Sequence, residues 1–123
     1  MSKSIDIILP VFNSQRYIEE TLNSISKQVH DNYKVYIIDD CSIDNSFNII
    51  KKFLNKNFYC KRLSKNMGPA FCRNLGMRLS SSDYICFIDS DDLWTPDKLS
   101  TQLKFMLKEN INFSYTNYTT FKS

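Results

Sequence analysis

Apolar residues along the chain recur at two intervals, and the alternation between those intervals predicts the elements. Residues 5–9 form an apolar run broken by one acid and ended by Pro10, the pattern of a first buried strand. Ile18, Leu22, Ile25 and Val29 then fall on one helical face, with Asn13 or Ser14 as the cap and Glu19 and Glu20 near the favourable N-terminal end. Asp31 and Asn32 predict a turn, and residues 35–38 a second strand followed at once by Asp39 and Asp40. The turn-forming run 41–46 precedes Phe47, Ile50 and Leu54, a second amphipathic helix, and residues 58–63 read as a weaker third strand. Residues 64–69 form a loop whose Pro69 suits the first position of a third helix carrying Leu75 and Leu79. Tyr84, Ile85, Cys86, Phe87 and Ile88 are apolar or aromatic without interruption and predict the central strand, buried on both faces. Thr95, Pro96 and Asp97 cap a fourth helix with Leu99, Leu103 and Met106, and residues 113–118 alternate aromatic and polar positions as a last, half-exposed strand.

Strands alternating with helical stretches imply right-handed βαβ units, an α/β fold with a doubly wound, mostly parallel, Rossmann-like sheet and helices on both faces. Ligands of such sheets bind outside the carboxyl ends of the strands. The residues to inspect are therefore Pro10, Val11, Phe12 and Asn13 after the first strand, Asp39 and Asp40 after the second, and Asp89, Ser90, Asp91 and Asp92 after the fourth.

Composition narrows the classes. At 123 residues this is one domain, and a net charge of +3 with dispersed basic residues argues against nucleic acid as a partner. Lys61, Arg62, Lys65, Arg73 and Arg78 either face phosphate or form an ordinary solvated surface. The four cysteines show no paired metal-ligand spacing, and Cys86 lies in the most apolar run as a small core residue. No signal peptide is read at Met1, no run reaches the ~20 apolar residues that span a membrane, and a reducing, cytoplasmic setting is the default expectation.

Three carboxylates at one strand end need an explanation. Two unit charges about 4 Å apart in a partly shielded site repel by roughly 4 kcal/mol, which favours either exposure or neutralisation by a cation. Oxygen ligands alone, without His or Cys, select Mg²⁺ or Mn²⁺ over zinc. The competing reading, that Asp89 or Asp92 caps the next helix, accounts for one acid. With only Gly68 and Gly76 available, neither a glycine-rich dinucleotide turn nor a P-loop can be written.

Four segments together resemble the nucleotide-binding half of family 2 glycosyltransferases with a GT-A fold. They are Ile8-Leu9-Pro10-Val11-Phe12-Asn13, Ile37-Ile38-Asp39-Asp40-Cys41-Ser42, Asn66-Met67-Gly68-Pro69 with Arg73-Asn74, and Ile88-Asp89-Ser90-Asp91-Asp92. The resemblance implies an inverting transfer from a nucleotide-sugar donor, usually a UDP-sugar, with Mg²⁺ or Mn²⁺, to a saccharide acceptor in bacterial surface-polysaccharide synthesis. It also implies peripheral association with the inner face of the membrane. Carried onto this chain, Asp40 contacts the uracil with Asp39 beside it, Pro10 and Phe12 line the base pocket, Gly68 lets the backbone approach, and Arg73 lies near the nucleotide. Asp89 and Asp91 match the family's Asp-x-Asp metal motif, with Asp91 the direct ligand and Asp89 acting through ribose or metal-bound water. On this reading Asp40→Asn narrows the preference for UDP over CDP more than it disturbs folding.

Cys41 departs from the resemblance, standing where the family commonly has glycine. The chain is also read as one nucleotide-sugar-binding domain over residues 1–123 that stops before the acceptor-binding part, so no general base is found in it. Two alternatives are a phosphorylation-receiver-like Mg²⁺-binding domain, which would carry an acidic pair after the first strand, and a nucleotide-binding remnant without chemistry.

Overall fold

A computed structural model describes residues 2–109. Its elements run β1 (Ile5–Val11), α1 (Ile18–Ser26), β2 (Tyr33–Asp39), α2 (Ser46–Lys51), β3 (Phe58–Arg62), α3 (Pro69–Leu79), β4 (Tyr84–Phe87) and α4 (Lys98–Glu109). The four strands form one parallel sheet in the order β3-β2-β1-β4. This is the expected α/β architecture, a parallel sheet with helices packed on both faces.

The period of two along β1 divides the molecule into its layers. Ile5, Ile7, Leu9 and Val11 face a core shared with Ile18, Leu22 and Ile25 of α1, Ile50 of α2, and Leu99 and Leu103 of α4. Their neighbours Asp6 and Ile8 face α3, which packs across β1 and β2. Burying apolar area stabilises by about 25 cal/mol per Å², so these wholly buried aliphatic side chains carry most of the fold's cohesion.

Several boundaries differ from the periodic reading. β4 is an edge strand among the described residues: it pairs with β1 alone, and Ile85 and Phe87 are 41% and 45% exposed. A short apolar run looks the same at an edge as in the middle, and α3 covers β1 and β2 instead of this strand. α1 stops at Ser26, leaving Val29 70% exposed while Gln28 is buried in its place. Leu54 lies beyond the short α2 and is exposed. In α3 the buried positions are Cys72 and Gly76, with Leu79 exposed, because Ile8 of β1 fills the space over Gly76. Neither Asn13 nor Ser14 caps α1 through its side chain; the Ser14 carbonyl accepts from the Tyr17 and Ile18 amides instead. The strand expected at residues 113–118 lies outside the described residues. Among those described, no helix is long and apolar enough to cross a membrane.

Candidate functional site

Both central strands break abruptly at their carboxyl ends. Asn13, just after β1, has φ 48°, and Cys41, just after β2, has φ 63°. Asparagine tolerates this left-handed backbone, and Asn13 is further held by accepting the Ile43 amide at 2.9 Å while its own amide donates to Ser42 Oγ at 2.9 Å. Cysteine has no such allowance, which gives the departure from glycine at this position a physical meaning. Cys41→Gly is expected to raise stability by up to about 1 kcal/mol, the relief of left-handed strain outweighing the greater freedom of glycine in the unfolded chain. A thermal melt showing no gain would place the strain elsewhere.

These turns open a cavity of about 380 Å³ above the sheet. Pro10, Val11 and Phe12 form one wall, and Gly68, Pro69, Cys72 and Arg73 at the start of α3 form another. Asp40 and Asn66 lie between them, and Asp89 and Ser90 close the side next to β4. Six of the residues singled out from sequence, Pro10, Phe12, Asp40, Gly68, Arg73 and Asp89, therefore converge on one cavity.

Asp39 does not join them. It is fully buried, with Oδ1 accepting the Ser42 amide at 3.4 Å and Oδ2 lying 3.2 Å from Arg62 Nε. That second contact has the distance of an ion pair without the angle of a hydrogen bond. Arg62 in turn donates to the Ser42 carbonyl at 2.9 Å and lies over the Phe47 ring. The first acid of the pair thus braces the turn that carries the second.

Asp40 is 3% exposed, and its carboxylate organises the loop before α3. Oδ1 accepts the Met67 amide at 2.7 Å, and Oδ2 accepts the Gly68 amide at 2.9 Å and Asn66 Nδ2 at 3.0 Å. The Cys72 thiol also hydrogen-bonds this carboxylate, so its roughly four lone-pair sites are largely taken up within the protein. This geometry revises the reading of Asp40 as a side chain free to be retuned: it is a hydrogen-bond hub first. Asn66 and Arg62, both named from sequence, were given no part in holding the acidic pair. The Asn-x-Gly spacing before Pro69 was the available signal for Asn66; nothing local marks Arg62, whose partner is distant in sequence.

The acidic turn sits at the rim. Carboxylate oxygens of Asp89, Asp91 and Asp92 lie within 4.8 Å of one another. Oxygens on opposite sides of a Mg²⁺ ion with ~2.1 Å bonds are about 4.2 Å apart, so a small inward rotation of these exposed side chains would let the three share one hard cation. The Asp89 amide donates to Asp92 Oδ2 at 3.1 Å, closing the turn. Burial raises the Asp92 carboxyl pKa, an effect the Asp89 amide opposes and the charges of Asp89 and Asp91 reinforce. The nearest cation is Arg73, 3.8 Å from Asp89, with both side chains largely exposed and the pair correspondingly weak. Burial pushes the Cys72 thiol up to about 11 and those of Cys60 and Cys86 up to about 12.

Residues 6–123 match the family model of Glycosyl transferase family 2. The chain belongs to that family. It is 35% identical over 117 residues to the putative teichuronic acid biosynthesis glycosyltransferase TuaG of Bacillus subtilis, a match covering 94% of this chain and 46% of that protein. A second relative, the Escherichia coli UDP-Glc:alpha-D-GlcNAc-diphosphoundecaprenol beta-1,3-glucosyltransferase WfaP, is 35% identical over 114 residues, or 93% of this chain and 45% of that one. The crystal structure of Staphylococcus aureus TarS 1-349 in complex with UDP-GlcNAc superposes with a TM-score of 0.82 at 32% identity, covering 87% of this chain and 32% of that chain. The chain thus spans less than half the length of these relatives. The fold is GT-A, whose glycosyltransferases commonly use a divalent metal, and the receiver-like alternative falls with the family match.

Proposed function

We propose that this domain binds the nucleotide of a UDP-sugar, with Mg²⁺ or Mn²⁺, as the donor half of an inverting glycosyltransferase acting in bacterial surface-polysaccharide assembly. The observation that carries the reading is the placement of a buried, loop-organising carboxylate, Asp40, on the same cavity as the rim acid Asp89. TarS in complex with UDP-GlcNAc and the UDP-Glc donor in the name of WfaP support uracil as the base.

The chain's own residues divide the work. Pro10 and Phe12 supply apolar walls for the base, and Phe12 is 49% exposed with its ring free to stack. Asp40 accepts the uracil N3–H, a donor that cytosine lacks, by displacing the Cys72 thiol. Gly68, at φ 91°, has open space where a Cβ would stand, so the backbone there leaves room for a ligand. Arg73 places a positive charge beside the diphosphate. Asp91 and Asp89, with Asp92 adjoining, would hold the cation, which when bound offsets the charge of the departing diphosphate. We assign no general base within residues 2–109: the cavity's acids are Asp40 and Asp89, and Asp97 accepts the Thr95 hydroxyl at 2.9 Å. The diphosphoundecaprenol-linked acceptor in the name of WfaP supports peripheral membrane association of the assembled enzyme on its cytoplasmic side.

Calorimetry of UDP with and without Mn²⁺ tests the reading. Affinity is expected to fall at least tenfold with chelator and, in the presence of Mn²⁺, with Asp91→Asn, while UDP outcompetes CDP on the wild-type chain. Affinity indifferent to both changes would remove Asp91 and Asp89 from the metal role.

A further inference from the structure

We infer that Thr21, helped by Ser14, is a positioning residue that holds the acidic turn at residues 89–92 in the shape that brings its carboxylates together. Three carboxylates within 4.8 Å repel one another, and the turn's own hydrogen bonds tie it only to itself: the Asp89 amide to Asp92, and the Asp92 amide to the Asp89 carbonyl at 3.0 Å. An external anchor is needed to keep the turn from opening outward, and α1 supplies it. Thr21 is fully buried, and its hydroxyl donates to the Ser90 carbonyl at 2.9 Å, in the middle of the acidic turn. Ser14 Oγ lies 2.6 Å from Ser90 Oγ and also donates to the Phe12 carbonyl at 3.2 Å, linking the turn to the end of β1.

The anchoring continues past the turn along α1 and just beyond its end. Ser24 Oγ accepts the Trp94 amide at 3.2 Å, Gln28 Nε2 donates to the Thr95 carbonyl at 2.7 Å, and Gln28 Oε1 accepts the Leu99 amide at 3.1 Å. Positions 21 and 24 lie three apart on one face of α1, and Gln28 follows two residues past its end at Ser26, so α1 and the residues just beyond it hold the descending segment 90–99. The hydroxyl of Thr21 meets the turn itself and touches none of the three carboxylates. It acts on them through the backbone, as outer partners of metal ligands do.

The inference rests on the cation reading above, and the experiment separates the two. The nearly isosteric Thr21→Val removes the donor while keeping the volume. In metal-free protein, deuterium exchange of the amides of residues 89–93 is expected to quicken about tenfold relative to wild type, with β1 and β2 exchange unchanged. In the same protein with saturating UDP, Mn²⁺ affinity measured by electron paramagnetic resonance is expected to fall about tenfold, the lower end of the usual effect of outer partners. Thr21→Ser, which retains the hydroxyl, restores both. Ser90→Ala, which cuts the Ser14 link at a half-buried position, gives a smaller loss of the same sign and serves if Thr21→Val does not fold. Unchanged exchange at 89–93 in the variants overturns the anchor whether or not the metal binds. Wild-type protein that binds no Mn²⁺ overturns the cation reading while the exchange arm still decides the anchor.

Discussion

Asp40→Asn is expected to dismantle the base pocket and lower stability by about 3 kcal/mol. The wild-type carboxylate receives three donors, two of them backbone amides, with almost no access to water. An asparagine in its place offers one oxygen and one amino group. Whichever way the amide turns, the amino group faces either the Met67 amide or the pair formed by the Gly68 amide and Asn66, so donor meets donor. Each buried donor left unpaired costs about 1–3 kcal/mol, and the asparagine amino group is stranded as well. For a domain of this size the melting temperature should fall by roughly 10 °C or more. UDP affinity should fall with it even in variant protein that remains folded at low temperature, because the released loop carries Gly68 and the start of α3. A variant that melts within about 2 °C of wild type would show that the 66–68 loop is held by something other than Asp40. This expected result replaces the simpler one from sequence, in which the substitution retuned base preference at little structural cost.

Gly76→Val should produce the second large effect. A Cβ at position 76 would overlap Ile8 Cγ2 and lie 3.0 Å from Ile8 Cδ1 and 3.3 Å from Ile8 Cβ. The crowded atoms belong to a branched side chain on the best-buried strand, so they cannot swing aside. Helix propensity works the other way: replacing a helical glycine with alanine gains about 1 kcal/mol when nothing is in the way. Overpacking costs about 1–3 kcal/mol, so Gly76→Ala should come out mildly destabilising. Valine adds two further methyl groups and gains less helix propensity, and a loss of about 3 kcal/mol or more follows. The decisive measurement is a double-mutant cycle by chemical denaturation. Ile8→Ala should restore part of the stability lost in Gly76→Ala, with a coupling of roughly 1 kcal/mol, and strict additivity would show that α3 shifts away without resistance.

How much of this site was legible beforehand depends on where each residue's partners lie. The acids at the carboxyl ends of β2 and β4 were visible because the parallel topology follows from alternating periodicities, and that topology sends strand ends to one edge. Telling Asp39 from Asp40 was not possible from that pattern. Adjacent residues at a strand end point to opposite faces, and what awaits on each face is set by other segments: Arg62 for Asp39, the 66–68 loop for Asp40. Arg62 read as one member of a basic surface run, yet it braces a buried acid 23 positions earlier in the chain. The polar side of α1 was equally silent. Thr21 and Ser24, with Gln28 just past the helix end, look like ordinary polar residues until segment 90–99 is laid beside them.

By itself the amino-acid order determined the α/β class, the order of the elements from residue 5 to residue 109, the buried character of β1, the apolar face of α1, and the sheet edge to inspect for a site. All of these depend on spacing between near neighbours, because side-chain direction repeats with the local backbone period. Only the tertiary structure decided that β4 lies at an edge among the described residues, that Gly76 rather than Leu79 meets the sheet, and that Asp39 braces while Asp40 lines the cavity. It also decided that α1 anchors the acidic turn. Each of those depends on contacts between segments far apart in the chain, where a hydrogen bond or a clash of a few tenths of an ångström determines which residue faces which, and no local period records it.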